Sequence, residues 1–129
     1  MFDDSSVTET SELLDSLDYP NLEVYHSEEN IGYGGTVNKA FAYATSDLVL
    51  VLNSDVIANN DFLSPLISAM QSNDKLGAIN PAQKRTKKYA KYARKNGCVI
   101  TYMLSGYAFL IRKEVFISTG MFDPVYGRG

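Results

Sequence analysis

The chain has 129 residues, 45% of them apolar, a size that supports one hydrophobic core and a single domain. Its formal charge of −3 gives no overall attraction to nucleic acid, so no nucleic-acid partner is expected. One cysteine, Cys98, excludes an internal disulfide; with one histidine, His26, there is no Cys/His zinc cluster, and a reducing, cytoplasmic setting is expected.

The elements follow in chain order. "MFDDSS" reads as the end of a strand running into an acidic turn. Ser6 and Glu9 have the spacing of a capping box, and Leu13, Leu14 and Leu17 carry a helix to Asp18. Leu22–Ser27 is a short strand. "ENIGYGG" is a glycine-rich loop leading into a helix, "TVNKAFAYAT", whose buried stripe is Val37, Ala40, Phe41 and Ala44. "LVLVL", Leu48–Leu52, lacks polar alternation, as a strand covered on both faces does, and it stops abruptly at Asn53-Ser54-Asp55. Asn59 or Asn60 then caps a helix with Leu63, Leu66, Ile67 and Met70 on one face. Leu76–Ala82 is a strand. "CVITYML" and "YAFLIR" are two further strand-like runs around Ser105-Gly106, and "KEVFISTG" is a short helix ending at Gly120. The order β-α-β-α-β-α-β predicts an α/β fold with a Rossmann-like, doubly wound, mostly parallel sheet. No apolar run approaches the ~20 residues that cross a bilayer.

Charge is distributed unevenly. Nine of the fifteen acids precede Asn30, and seven of the twelve Lys/Arg lie between Lys84 and Lys95. The segment 84–96 interrupts the alternation and reads as a basic insertion. Its charge and interleaved Tyr89 and Tyr92 suit a peripheral membrane contact or a lipid-diphosphate acceptor, against the simpler alternative of a solvated face.

Three groups fall at strand ends: Asp3-Asp4, the loop Asn30–Gly35, and Asn53-Ser54-Asp55. In a parallel sheet those ends share one edge, where open α/β sheets place ligands, so the three are expected to converge. Each has a plain structural alternative. Aspartate is a common capping and turn residue, and glycines at a helix entry can answer a packing need. Clustered carboxylates nevertheless repel unless a cation or a hydrogen-bonding ligand compensates them. Hard cations such as Mg²⁺ or Mn²⁺ take one or two carboxylates plus phosphate oxygens, a role for Asp55, while Asp3 or Asp4 accepts hydrogen bonds from a base or ribose.

The ordered series "DDSS", "NIGYGGTVNKAFAYATSDLVLVLNSDV" and "SGYAFLIRKEVFISTGMFDPVYGRG" resembles glycosyltransferase family 2, nucleotide-sugar-dependent enzymes of GT-A fold, and within it rhamnosyltransferase-like members. The resemblance implies that Asn53-Ser54-Asp55 is a variant D-x-D motif with Asp55 holding a divalent Mn²⁺ or Mg²⁺ ion. It implies a donor nucleotide pocket of the UDP or dTDP type from Asp3, Asp4, Asn30, Gly32, Asn38, Asn53 and Ser54. Ser105 and Gly106 fall on the sugar or acceptor side. Asp123 sits in a segment like the family's "GFD", a structural place, and the general base is expected beyond Gly129. By the same resemblance the chain begins at the family's second strand, so a single partial catalytic domain, 1–129, is expected, inactive alone and prone to self-association through its uncovered edge.

The implied reaction transfers a sugar from a nucleotide-diphosphate donor to a sugar or lipid-linked acceptor hydroxyl, with inversion, in polysaccharide or glycoconjugate synthesis, at the cytoplasmic face of a membrane or in the cytoplasm. Two alternatives stand beside it. One is a phosphoacceptor receiver domain with Asp55 as acceptor and Lys113 as its lysine. The other is a noncatalytic nucleotide-sugar-binding remnant.

Overall fold

The computed structural model describes residues 1–81 and 104–126. The basic segment 84–96, Cys98, and all but the last residue of the run Cys98–Leu104 lie outside them. The chain divides into two compact units, Met1–Ser46 with Phe116–Gly129, and Asp47–Val115.

In the first unit, β1 (Phe2–Asp3) pairs in parallel with β2 (Tyr25–His26), Phe2 opposite Tyr25 and Asp3 opposite His26. β2 is shorter than the strand expected over Leu22–Ser27. Between them runs α1 (Thr8–Asp15), which buries none of its residues. The capping box does not form. Val7 is the N-cap, and the Ser6 backbone N–H instead donates to Asp3 Oδ1 at 3.2 Å. The helix also ends before Asp18, because the Ser16 hydroxyl bonds back to the Leu13 carbonyl at 2.7 Å and competes with continued helix.

The next helix, α2 (Gly32–Tyr43), begins four residues before the expected Thr36, so the glycine-rich stretch is its first turn and not a loop. Packing explains the glycines. A Cβ on Gly34 would lie 3.2 Å from Phe122 Cβ, and one on Gly35 would lie 3.2 Å from Ile31 Cβ. Val37 and Phe41, one turn apart, are buried as expected, and Phe41 packs on Phe116 with ring centroids 4.0 Å apart.

The second unit contains β3 (Leu48–Leu52), α3 (Leu63–Ser72), β4 (Ala78–Ile79) and β5 (Ala108–Arg112), and helix α4 (Lys113–Ser118) starts in it. The strand order is β3-β5-β4. β5 runs antiparallel to both neighbours, with Leu48 opposite Arg112 and Leu52 opposite Ala108. β3 and β4 therefore point the same way, as the alternation implies, while the reversed central strand is a departure from it. β5 occupies the middle, which is why Ala108 to Ile111 are all buried with no polar alternation. Leu66, Met70 and Leu110 form the core, with Leu48, Leu50, Ile67 and Leu76 against it.

Arg112 closes this unit. Its guanidinium donates to the carbonyls of Met70 at 2.7 Å and Leu76 at 3.1 Å, so a cation meets the orphan acceptors at the carboxyl end of α3. The start of α3 lacks the expected asparagine side-chain cap. Phe62 is the N-cap, and its N–H reaches the Asn59 carbonyl at 3.3 Å through a backbone turn.

Candidate functional site

In the first unit the two neighbouring aspartates have different surroundings. Asp3 is 5% exposed. Its Oδ1 accepts the Ser6 N–H, and its Oδ2 accepts the Ser11 hydroxyl at 2.9 Å and meets His26 Nδ1 at 2.8 Å. Hydrogen bonding from Ser6 lowers its pKa against the opposing pull of burial; His26 and Ser11 add to this, and the result is about 2. The other ring nitrogen of His26, Nε2, lies 2.9 Å from Asp15 Oδ1 on α1. Asp3 and then Asp15 raise the imidazole's pKa above its ordinary value.

Asp4 is half-buried, and it reaches forward to α2. Its Oδ1 accepts the Ile31 N–H at 2.9 Å and its Oδ2 the Gly32 N–H at 2.8 Å, while the Asn30 side-chain amide donates to the Asp4 carbonyl at 3.1 Å. Ile31, the formal N-cap, has no capping side chain. Asp4 therefore caps the helix from another strand, a negative group at the positive helix end. Gly32 permits this approach, being buried with φ +74°, a conformation that a Cβ disfavours. The turn after Asp4 also holds Ser5 at φ 59°.

Asn38, one turn into α2, spends its side chain on Phe122. Its Nδ2 donates to the Phe122 carbonyl at 2.8 Å, and its Oδ1 accepts the Phe122 N–H at 3.0 Å. The partner segment is irregular, with Gly120 and Met121 both at positive φ, so these backbone groups have no regular ladder to join. Asp123 is exposed, and its Oδ1 accepts the Val125 N–H at 2.9 Å, closing the turn Pro124–Tyr126. A cleft of about 290 Å³ opens here, lined by Asn30, Gly34, Gly35, Phe122 and Asp123.

In the second unit, the reversed direction of β5 gathers residues that a parallel strand would separate. Leu52 at the end of β3 faces Ala108 at the start of β5, and the Asn53 N–H donates to the Tyr107 carbonyl at 3.0 Å. Ser105-Gly106, just before Tyr107, therefore comes to the same sheet edge as Asn53-Ser54-Asp55. β4 ends there too: the Tyr107 hydroxyl donates to the Pro81 carbonyl at 2.7 Å. Nothing in the sequence context of Tyr107 marks a hydroxyl that bridges two strand ends.

Asp55 is exposed, and among the described residues its carboxylate has no hydrogen-bonding or ionic partner. No three His, Cys, Asp or Glu side chains among the described residues are grouped to hold a metal ion. Asp3-Asp4 with the α2 entry, and Asp55 with Ser105-Gly106, are two strand-end groups, one in each unit.

The profile described as glycosyl transferase family 2 matches residues 1–125. No curated protein matches the chain. Among solved structures, one similar to it is the mannosyltransferase PcManGT from Pyrobaculum calidifontis in complex with GDP-Man and Mn²⁺, with a TM-score of 0.78 and 18% identity. The likeness covers 95% of this chain and 37% of that one, so the chain spans well under half of its neighbour's length. At that identity the likeness speaks for the fold, an incomplete GT-A type α/β architecture.

Proposed function

This chain belongs to glycosyl transferase family 2, and on that premise we propose that it forms the donor-binding part of an enzyme that moves a sugar from a nucleotide diphosphate to an acceptor hydroxyl with inversion. The family match sets aside the receiver-domain alternative. The observation that carries the reading is the sheet edge that Asp55, exposed and without a partner among the described residues, shares with the small pair Ser105-Gly106.

Asp55 would hold a divalent cation, Mn²⁺ or Mg²⁺, and such an ion supplies charge compensation for the departing diphosphate. Asn53 and Ser54 offer an amide and a hydroxyl beside it, and Ser105-Gly106 leave room for a sugar because they carry almost no side-chain bulk. Asp4 reaches the nucleotide, on this reading, through the lone pairs its two helix N–H partners leave free, and Asn30 flanks it. Asn38 and Gly32 shape the pocket indirectly, one by holding Phe122 and the other by admitting the Asp4 carboxylate. Asp123 is not assigned as the base that deprotonates the acceptor, because it serves the turn that follows it. The neighbour's GDP-Man makes a guanosine diphosphate donor as worth testing as the UDP or dTDP type. The role in polysaccharide or glycoconjugate synthesis is part of the same proposal.

Calorimetric titration with GDP, UDP and dTDP, each with and without Mn²⁺, tests it. Binding of one nucleotide that requires the cation and disappears in Asp55→Ala is expected. Metal-independent binding unchanged by that substitution would remove the assigned role.

A further inference from the structure

The chemistry around His26 reaches beyond holding two strands together. Both ring nitrogens face carboxylates, Nδ1 the buried Asp3 and Nε2 the exposed Asp15, at 2.8 and 2.9 Å. Only an imidazolium can donate to both, since a neutral ring has one N–H and turns a lone pair toward the other carboxylate. Among the described residues, the other charged groups lining the cleft of about 480 Å³ that His26 and Ser27 share are Glu28 and Glu29 after β2 and Lys39 on α2. Lys39 Nζ donates to the Ser27 hydroxyl at 3.3 Å.

What the imidazolium holds is a helix with little other anchorage. α1 has no buried residue, and Leu13 is 62% exposed. Its polar ties are Ser11 to Asp3 and Asp15 to His26. Asp3 in turn fixes the turn that follows it: its Oδ1 holds the Ser6 N–H, across Ser5 in its left-handed conformation, and Asp4 stands between. The carboxylate that caps α2 is thus oriented from a turn whose outer end is tied to His26.

We propose that His26, acting through Asp3 and Asp15, is a positioning residue for the Asp4 end of the donor pocket, engaged while its imidazole is protonated and released when it is not. This rests on the donor reading above. On deprotonation the buried Asp3 keeps the remaining N–H, Asp15 loses its donor, and the carboxyl end of α1 comes away. The turn carrying Asp4 leads directly into α1 and loses the tether that this helix had on His26, so donor affinity falls as pH rises.

The test follows the His26 ring by NMR and nucleotide affinity by calorimetry on the same chain, from pH 5.5 to 8.5, with Mg²⁺ and whichever of GDP, UDP or dTDP binds. The nucleotide's own phosphate titrates in this range, so the wild type is compared with His26→Gln, which removes the ionisation. The wild type is expected to lose about fivefold or more affinity across the His26 midpoint beyond any loss in His26→Gln, the low end of ordinary coupling between sites. Asp15→Asn, at an exposed position that does not endanger folding, is expected to lower the His26 midpoint and the affinity midpoint together.

Superimposable wild-type and His26→Gln profiles would overturn the proposal. So would an Asp15→Asn variant that moves the ring's titration and leaves the affinity profile in place. Absence of nucleotide binding at every pH would overturn the donor reading itself and this coupling with it, an outcome distinct from binding that ignores His26.

Discussion

Asp4→Ala isolates the capping role of a residue that the sequence presents as a ligand contact. Two short hydrogen bonds from the Ile31 and Gly32 N–H groups end on its carboxylate. Removing a capping side chain costs about 0.5 to 2 kcal/mol, and loss of a negative charge at a helix amino end adds about 0.3 to 1 kcal/mol. The site is half-buried and both N–H groups lose their acceptor, so a total of about 2 kcal/mol is expected. Asp4→Asn keeps one acceptor oxygen and loses the charge, and should cost about half as much. With a urea m-value of about 2 kcal/mol/M, Asp4→Ala moves the unfolding midpoint down by about 1 M with an unchanged slope. Urea melts followed by far-ultraviolet circular dichroism give both numbers. A shift under about 0.2 M for Asp4→Ala, or an Asp4→Asn variant as unstable as Asp4→Ala, would refute the argument that the carboxylate holds α2.

The other expectations concern its neighbours. Asp3 is held at about 2 against 3.8 for the free group, so its contribution, about 2 kcal/mol, is complete above pH 3.8 and lost as pH falls through 2; acid melts of Asp3→Asn should lack this component. Asn38→Ala leaves the N–H and carbonyl of Phe122 without their partner and should cost about 1 to 3 kcal/mol, with faster hydrogen exchange at the Phe122 amide as the specific readout. Gly34→Ala should destabilise by about 1 kcal/mol despite alanine's better helix propensity, because the new methyl meets Phe122 where Asn38 prevents it from yielding; in an Asn38→Ala background the penalty should shrink. Asp55→Ala, at an exposed carboxylate without a partner among the described residues, should leave the unfolding free energy from urea melts within about 0.5 kcal/mol of wild type.

Much of this was legible from pattern alone. The unbroken apolar run Leu48–Leu52 is a strand with the bounds expected, and Val37 with Phe41, like Leu66 with Met70, occupy the buried faces that their spacing implies. What escaped the sequence depends on partners distant along the chain. "NIGYGG" looks like a loop because glycine disfavours helix, yet tertiary packing against Phe122 and the Asp4 cap override that preference. Ser6 and Glu9 satisfy the capping-box pattern, but Asp3 claims the Ser6 N–H first, and no local rule anticipates a competitor three residues upstream. The direction of β5 was equally hidden, since alternation of strands and helices specifies order and not polarity once a long segment intervenes.

Three aspartates at two strand ends look alike in the sequence, and their hydrogen bonds separate them. Asp3 and Asp4 each satisfy both oxygens with protein groups, so their charges are compensated before any ligand arrives. Asp55 follows a buried strand that could have ended in any turn residue, and it leaves its charge to solvent. A solvated carboxylate costs the fold nothing and gains nothing from it, whereas on the proposed reading a cation brought by a diphosphate would find its coordinating capacity unused. The reversal of β5 strengthens the distinction, because it brings Ser105-Gly106, with almost no bulk, to that same edge and not to the opposite one. Stability should therefore respond to Asp3 and Asp4 and not to Asp55, whereas the cation requirement of nucleotide binding should be lost in Asp55→Ala and kept in the other two, a division that one set of melts and titrations on the three alanine variants resolves.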